Sequence, residues 1–205
     1  MGWLIAVLVI VPIAYAQLAL PAVRRAKVRR SLRRGSSAFA DRAGVTVTGT
    51  VRAIGELVES PLSGRRCVVV HAFAELPEID DSLALPENVR LTTRLMVPFE
   101  LETNDGPVLV DGTSADLEMK AARISPRSAE RERAFVVTHG RSAAVAPVAT
   151  FREIVVMPGM RISVHGMALV EADHGAERGY RDATSKRHRL VAHPDYPLAI
   201  GAPRD

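Results

Sequence analysis

The sequence has very little cysteine and few aromatic residues. Cys67 is the single cysteine among 205 residues, which excludes an internal disulfide and any site of paired cysteines, such as a zinc ribbon or a RING domain. A lone thiol is more typical of a reducing compartment than of an oxidising one. Aromatic residues make up only 4% of the chain, so a core must be built mainly from Val, Leu, Ile and Ala.

Motifs for catalysis and cofactor binding are also missing. The six histidines show no HxxxH or HxH spacing, and the chain has no glycine-rich phosphate loop, no GxSxG elbow and no paired catalytic carboxylates. Cys67 and His71 share one face of a predicted strand, but four residues at about 3.3 Å each keep their Cα atoms roughly 13 Å apart. We therefore predict no catalytic residue, no metal site and no cofactor, and we interpret Cys67 as a small buried residue.

Acidic residues are absent from one strongly basic stretch. The seven cations between positions 24 and 34 are Arg24, Arg25, Lys27, Arg29, Arg30, Arg33 and Arg34. Without them, 20 basic residues face 23 acidic ones, so the rest of the chain carries a net charge of −3. Because a nucleic-acid binder usually spreads basic charge over its folded surface, we predict no nucleic-acid partner.

Charge is absent from the run that precedes this stretch. Trp3–Val23 comprises 21 residues without a charged side chain, and at 1.5 Å per residue a helix of this length spans about 30 Å, the thickness of a bilayer core. Ala14-Tyr15-Ala16 before Gln17 resembles a signal-peptide cleavage site, which is the competing interpretation. The missing basic n-region and the cations that follow favour an uncleaved anchor.

The cations after the apolar run also predict orientation. By the positive-inside rule they remain on the cytoplasmic side, so we expect a single-pass protein of the plasma membrane with its soluble domain in the cytoplasm. The same seven side chains are candidates for contact with anionic lipid. The expected organisation is a transmembrane anchor (1–23), a basic juxtamembrane linker (24–44) and a β domain (45–205).

The remaining sequence has the pattern of a β domain. Val45, Val47 and Val51 alternate with threonines, which is typical of a half-buried strand, and Asn104-Asp105-Gly106 between apolar runs predicts a hairpin. The turn sequence of 61–64 indicates that the strands at 45–51 and 67–73 form an antiparallel pair. The predicted strands are 45–51, 67–73, 89–97, 99–102, 107–110, 151–157, 161–170, 187–191 and 198–200, with an exposed connection at 75–88 and one helix at 128–139 ended by Gly140.

Glycines inside strands, at Gly49 and Gly166, indicate the sharp bends that small barrels require. The predicted fold is therefore mainly β: a small, partly open antiparallel barrel of the OB type with one packed helix, preceded by an N-terminal transmembrane helix.

Three sequence blocks resemble a known family. Residues 60–68 read SPLSGRRCV, residues 97–111 contain VPFEL and GPVLVD, and residues 152–166 contain Arg152-Glu153, Pro158-Gly159 and Gly166. In this order they resemble the GIDE-type, or beside-a-membrane, domain over roughly residues 45–170, with Arg66 where that family has proline. The resemblance implies a bacterial form beside a membrane helix. The ubiquitin-ligase activity of RING-bearing relatives is not implied, because this chain cannot form a RING.

The most specific candidate site is the loop of the first block. Ser63, Gly64, Arg65 and Arg66 together offer hydroxyl, amide and guanidinium donors that could hold an anionic group of a protein or small ligand; the alternative is a simple turn with solvated arginines. The sequence thus predicts a membrane-anchored, non-enzymatic interaction or ligand-sensing module. The alternative is a small membrane-tethered hydrolase or transferase with an unrecognised site.

Overall fold

The computed structural model describes residues 23–34, 38–76, 90–123, 128–172 and 186–203. The predicted membrane segment lies outside this part of the chain except for Val23, as do the break at 35–37 and nearly all of the predicted connection at 75–88. Residues 23–34 form helix α1, so much of the predicted linker is helical. The other helices are α2 (Ala129–Thr138) and a short 3-10 helix (Ala143–Val148).

The chain is mainly β, as predicted. Each predicted strand is present with its ends shifted by at most two residues, except that the strand predicted at 67–73 is divided at Val68 into two strands. The strands are β1 Gly44–Ala53, β2 Val58–Glu59, β3 Arg66–Cys67, β4 Val69–Glu75, β5 Arg90–Met96, β6 Phe99–Thr103, β7 Gly106–Asp111, β8 Asp116–Glu118, β9 Ala122–Arg123, β10 Thr150–Val156, β11 Arg161–Ala172, β12 Lys186–Val191 and β13 Ala199–Gly201. The short strands β2, β8 and β9 and the 3-10 helix were not predicted from the sequence.

Five of these strands close into a barrel. Their order is β1-β6-β7-β12-β11, and β11 pairs back onto β1. The prediction of a partly open, antiparallel barrel was therefore wrong in two respects, because the ring is closed and β7 pairs with β12 in parallel. The reason is topological: five strands cannot alternate direction all the way round a ring, so a closed five-stranded barrel needs a parallel pair. The result is consistent with an OB-like barrel.

Alternation along β1 places its valines inside this barrel. Val45, Val47 and Val51 are buried in the barrel core with Phe99 and Leu101 of β6. Gly49 occupies the position between them where a Cβ atom would lie 2.6 Å from the backbone oxygen of Glu102. The glycine thus allows close approach of β1 to β6.

A second sheet lies beside the barrel, in the order β5-β4-β10-β9. The predicted pairing of the strand at 45–51 with that at 67–73 was wrong, because β4 pairs with β10 and β5. The continuous apolar run of β4 explains this position, since Val69 packs in the barrel core while Val70 and Ala72 pack in a second core. The second core also contains Phe135 of α2 and Phe151 of β10.

The predicted helix at 128–139 is confirmed as α2. Ser128 is its N-cap and accepts a hydrogen bond from the backbone N–H of Arg131. At the other end, Gly140 follows the C-cap residue His139 and has φ +71°, a conformation that glycine adopts without steric cost.

Candidate functional site

The loop at 60–66 is built around the buried side chain of Ser60. The Ser60 hydroxyl donates to Glu153 Oε2 at 2.5 Å and accepts from the backbone N–H groups of Leu62 and Ser63, each at 3.3 Å. The backbone of Ser60 also accepts from Gly64 N–H and donates to Arg65 O, both at 2.9 Å. Ser60 is 0% exposed and Glu153 is 4% exposed. The loop therefore has a preformed internal hydrogen-bond network.

Two apolar residues anchor the loop to the second core. Leu62 is 1% exposed, and Cys67 is fully buried and donates its thiol hydrogen to Val58 O at 3.6 Å. Burial, with a smaller contribution from the negative charge of Glu153, raises the pKa of the Cys67 thiol to about 11. The thiol is therefore protonated at neutral pH, which agrees with its interpretation as a buried packing residue.

Arg131 of α2 packs against one side of the loop. Gly64 has φ +71°, and a Cβ atom there would lie 2.8 Å from the Arg131 guanidinium carbon. Arg131 donates to Glu59 Oε1 at 2.7 Å and contacts Ser60 O at 3.5 Å. Glycine fits this position because it adopts the left-handed backbone conformation and, without a Cβ atom, leaves room for the guanidinium packed against it.

The predicted site residues of the loop differ in exposure. Ser63 and Gly64 are half-buried, whereas Arg65 and Arg66 are exposed. Ser63 Oγ accepts a long hydrogen bond of 3.4 Å from the backbone N–H of Arg65. The loop thus keeps its serines and glycine close to the fold and presents two arginines at its surface.

The seven cations of the basic stretch lie on α1 and divide into two groups. Arg24 forms an ion pair with Asp195 at 3.5 Å, and Arg29 forms one with Glu118 at 2.7 Å. The other five, Arg25, Lys27, Arg30, Arg33 and Arg34, are exposed. The loop at 60–66 and helix α1 therefore contact different residues of the fold.

Two histidines have a pKa lowered by burial. His165 is 6% exposed, with Nδ1 3.0 Å from Thr46 Oγ1, and its pKa is lowered by burial and by the positive charge of Lys27. His71 is half-buried, and its pKa is lowered by burial and by Arg94 and Arg90. Among the described residues, no group of three His, Cys, Asp or Glu side chains is placed to hold a metal ion.

Two larger cavities lie away from the loop. One, of about 330 Å³, lies between α1 and the C-terminal segment and is lined by Arg29, Leu32 and Glu118, among others. The other, of about 370 Å³, lies beside the β6–β7 turn, where Arg161 and the stacked rings of Phe39 and His188 contribute to the lining. Both volumes fall in the range of small-molecule sites.

Sequence reasoning missed two residues that support the loop. Glu153 belongs to the third of the three blocks, but nothing in its spacing connects it with Ser60, 93 residues earlier. Arg131 carries no local signal of its role, because its contact with the loop depends on how α2 docks.

Comparisons with protein-family models, curated proteins and solved structures found no match to this chain. In the part of the chain that the structure describes, no helix is both long enough and apolar enough to cross a bilayer. The predicted membrane span lies outside that part, apart from its last residue.

Proposed function

We propose that this protein is a membrane-anchored, non-enzymatic interaction module that presents the loop at 60–66 to an anionic partner. The observation that carries the proposal is the preformed hydrogen-bond network around Ser60, which holds the loop in one conformation with Arg65 and Arg66 at its surface. A preorganised loop loses little conformational entropy on binding. Guanidinium groups suit carboxylate or phosphate groups of a protein or small ligand.

The contacts and burial of the nearby reactive groups favour binding over catalysis. The Ser60 hydroxyl and the Glu153 carboxylate bond to each other inside the fold, and the Cys67 thiol is fully buried with a raised pKa. An activated nucleophile needs access to substrate and a base that takes its proton. These three groups have structural roles instead, so they support the interaction module over the hydrolase or transferase alternative.

The resemblance to the GIDE-type domain is part of this proposal. Its three blocks come together at Val68, where Val68 N–H donates to Val156 O and Val97 N–H donates to Val68 O, each at 2.9 Å. The first and third blocks also meet in the bond between Ser60 and Glu153. Blocks that are distant in sequence thus form one connected unit, as expected if they belong to one domain type.

The proposal includes a location in the plasma membrane. The apolar run before α1 would place the protein in the plasma membrane as a single-pass protein, with the barrel in the cytoplasm and the α1 cations near lipid. A mildly acidic folded part does not favour a nucleic-acid partner.

The double change Arg65→Ala and Arg66→Ala tests the loop. We expect the free energy of unfolding to change by no more than about 0.5 kcal/mol per residue, because both side chains are exposed. We expect binding of the partner to weaken by about 1.5–3 kcal/mol for each charge-assisted hydrogen bond lost. The measurements are chemical denaturation and quantitative crosslinking in membranes, with partners identified by mass spectrometry.

Arg133→Ala with Arg187→Ala is the matched control, since both arginines are exposed and the net charge changes equally. If both double variants lose the same partners, general electrostatics explains the binding. If neither loses a partner and neither is destabilised, the loop is not the site.

A further inference from the structure

Helix α1 has one side that packs against the barrel. Val28 and Leu32, four residues apart, are 7% and 5% exposed and form a small core with Ala199 of β13. Gly201 leaves room for Leu32, because a Cβ atom there would lie only 3.3 Å from Leu32 Cδ1. Apolar residues at i and i+4 on one face are what a docked helix requires.

Polar contacts on the same side fix how α1 docks. Ser31 Oγ lies 2.6 Å from Thr46 Oγ1, which in turn lies 3.0 Å from Nδ1 of the buried His165. On the flanks, Arg29 and Arg24 form ion pairs with Glu118 and Asp195, respectively. The helix is thus held by packing in the middle, by a partly buried hydroxyl contact, and by an ion pair on each side.

The opposite side of α1 is basic. At 100° per residue, Arg30 lies about 200° round the helix from Val28, with Arg33 and Arg34 to either side of it. All three side chains are exposed, and the stretch 24–34 contains no acidic residue. A helix with one face docked on its own domain and the other face predominantly cationic is complementary to an extended anionic surface.

We propose that α1 is a rigid connector, with Arg30, Arg33 and Arg34 bound to anionic lipid headgroups and Arg24 and Arg29 holding the barrel. This inference deepens the proposed membrane location and rests on it, because the apolar run 3–23 places α1 beside the bilayer. The part of the chain outside the basic stretch has a net charge of −3 and would be repelled by anionic lipid. A docked α1 therefore holds the barrel in one orientation, which a flexible linker would not do.

The test uses the full chain in vesicles, with an environment-sensitive fluorophore on Ala26→Cys, an exposed position on the outer side of α1. Cys67 is 0% exposed and stays unlabelled. We expect the fluorophore to report a less polar environment in vesicles containing phosphatidylglycerol than in vesicles of phosphatidylcholine alone. Each cation at the membrane surface contributes roughly a fivefold factor to the equilibrium constant for binding of α1 to anionic lipid. We therefore expect Arg30→Gln with Arg34→Gln to lower this constant about 25-fold.

Arg24→Gln with Arg29→Gln is the matched control, because it removes the same charge from the same helix. We expect this variant to keep the lipid response but to raise amide hydrogen exchange within 23–34, while the Arg30 and Arg34 variant leaves that exchange unchanged in detergent. Equal loss of the lipid response in both variants overturns the proposal, as does a response that does not depend on phosphatidylglycerol.

Vesicle flotation separates this inference from the membrane anchor itself. If the chain does not float with phosphatidylcholine vesicles, the proposed anchor is wrong, whatever α1 does. Flotation with phosphatidylglycerol vesicles alone, lost in the Arg30 and Arg34 variant and kept in the control, would then still support the lipid-binding face.

Discussion

Buried polar residues determine the shape of the loop at 60–66. Ser60 is fully buried, yet its hydroxyl is satisfied by one acceptor and two backbone donors. A carboxylate as deeply buried as Glu153 is costly unless it accepts such a bond. The two residues therefore depend on each other.

We expect Ser60→Ala to lower the free energy of unfolding by about 1–3 kcal/mol, because it removes a hydrogen bond to a buried carboxylate and leaves that group without this donor. Urea denaturation followed by circular dichroism measures the change. Ser63→Ala is the control, since the only described hydrogen bond of its hydroxyl is long and near the surface, and it should change stability by less than about 0.5 kcal/mol. Equal effects would contradict the structural role of Ser60.

Protonation of His165 provides a second test at this scale. Its pKa is lowered in the folded state, chiefly by burial, so as the pH falls below about 6.5 the unfolded chain binds a proton that the folded chain does not. Stability is thus retained above pH 6.5 and decreases below it, by at most about 1.4 kcal/mol per pH unit for one proton.

His71 contributes in the same direction, since its pKa is also lowered. We therefore expect His165→Asn to reduce the decrease between pH 7 and pH 5, and His165→Asn with His71→Asn to reduce it further. Denaturation midpoints at both pH values provide the comparison. An unchanged pH dependence in the double variant would mean that other groups dominate acid destabilisation.

At the scale of elements, α1 depends on tertiary contacts for its stability. The like charges along residues 23–34 repel each other. Packing of Val28 and Leu32 against Ala199 offsets this repulsion.

Leu32→Ala tests this dependence. We expect it to cost about 1–3 kcal/mol locally, since part of a buried side chain is removed at the edge of the core. Amide hydrogen exchange should accelerate within 23–34 and stay unchanged in β6 and β7, whereas Arg30→Ala should leave both unchanged. Faster exchange throughout the barrel would mean that α1 and the barrel unfold as one unit.

For the whole molecule, the distribution of charge predicts an orientation in the membrane. We expect Met1–Val23 to be retained and the C-terminal Asp205 to be cytoplasmic, because the only dense positive charge follows the apolar run. A C-terminal reporter that is active only outside the cytoplasm should be inactive, and replacing the seven cations of 24–34 by Gln should raise its activity. Activity in the unchanged chain, or a mature N-terminus at Gln17, would contradict this prediction.

Local sequence patterns determined most of the secondary structure. The Val and Thr alternation of β1, the Asn104-Asp105-Gly106 turn and the Ser128 cap act over a few residues, where side-chain periodicity and backbone preference decide the outcome. The buried state of Cys67 also followed from its apolar surroundings.

Only the tertiary structure decided which strands meet. The parallel pairing of β7 with β12 follows from closing five strands into a ring, and the contact of Ser60 with Glu153 joins residues 93 positions apart. The sequence also does not show that α1 has two different faces, because it does not distinguish among the seven cations. Only the burial of Val28 and Leu32 and the ion pair of Arg29 with Glu118 distinguish the two faces. Such long-range contacts carry no local pattern, since they depend on the packing of elements that are distant in the chain.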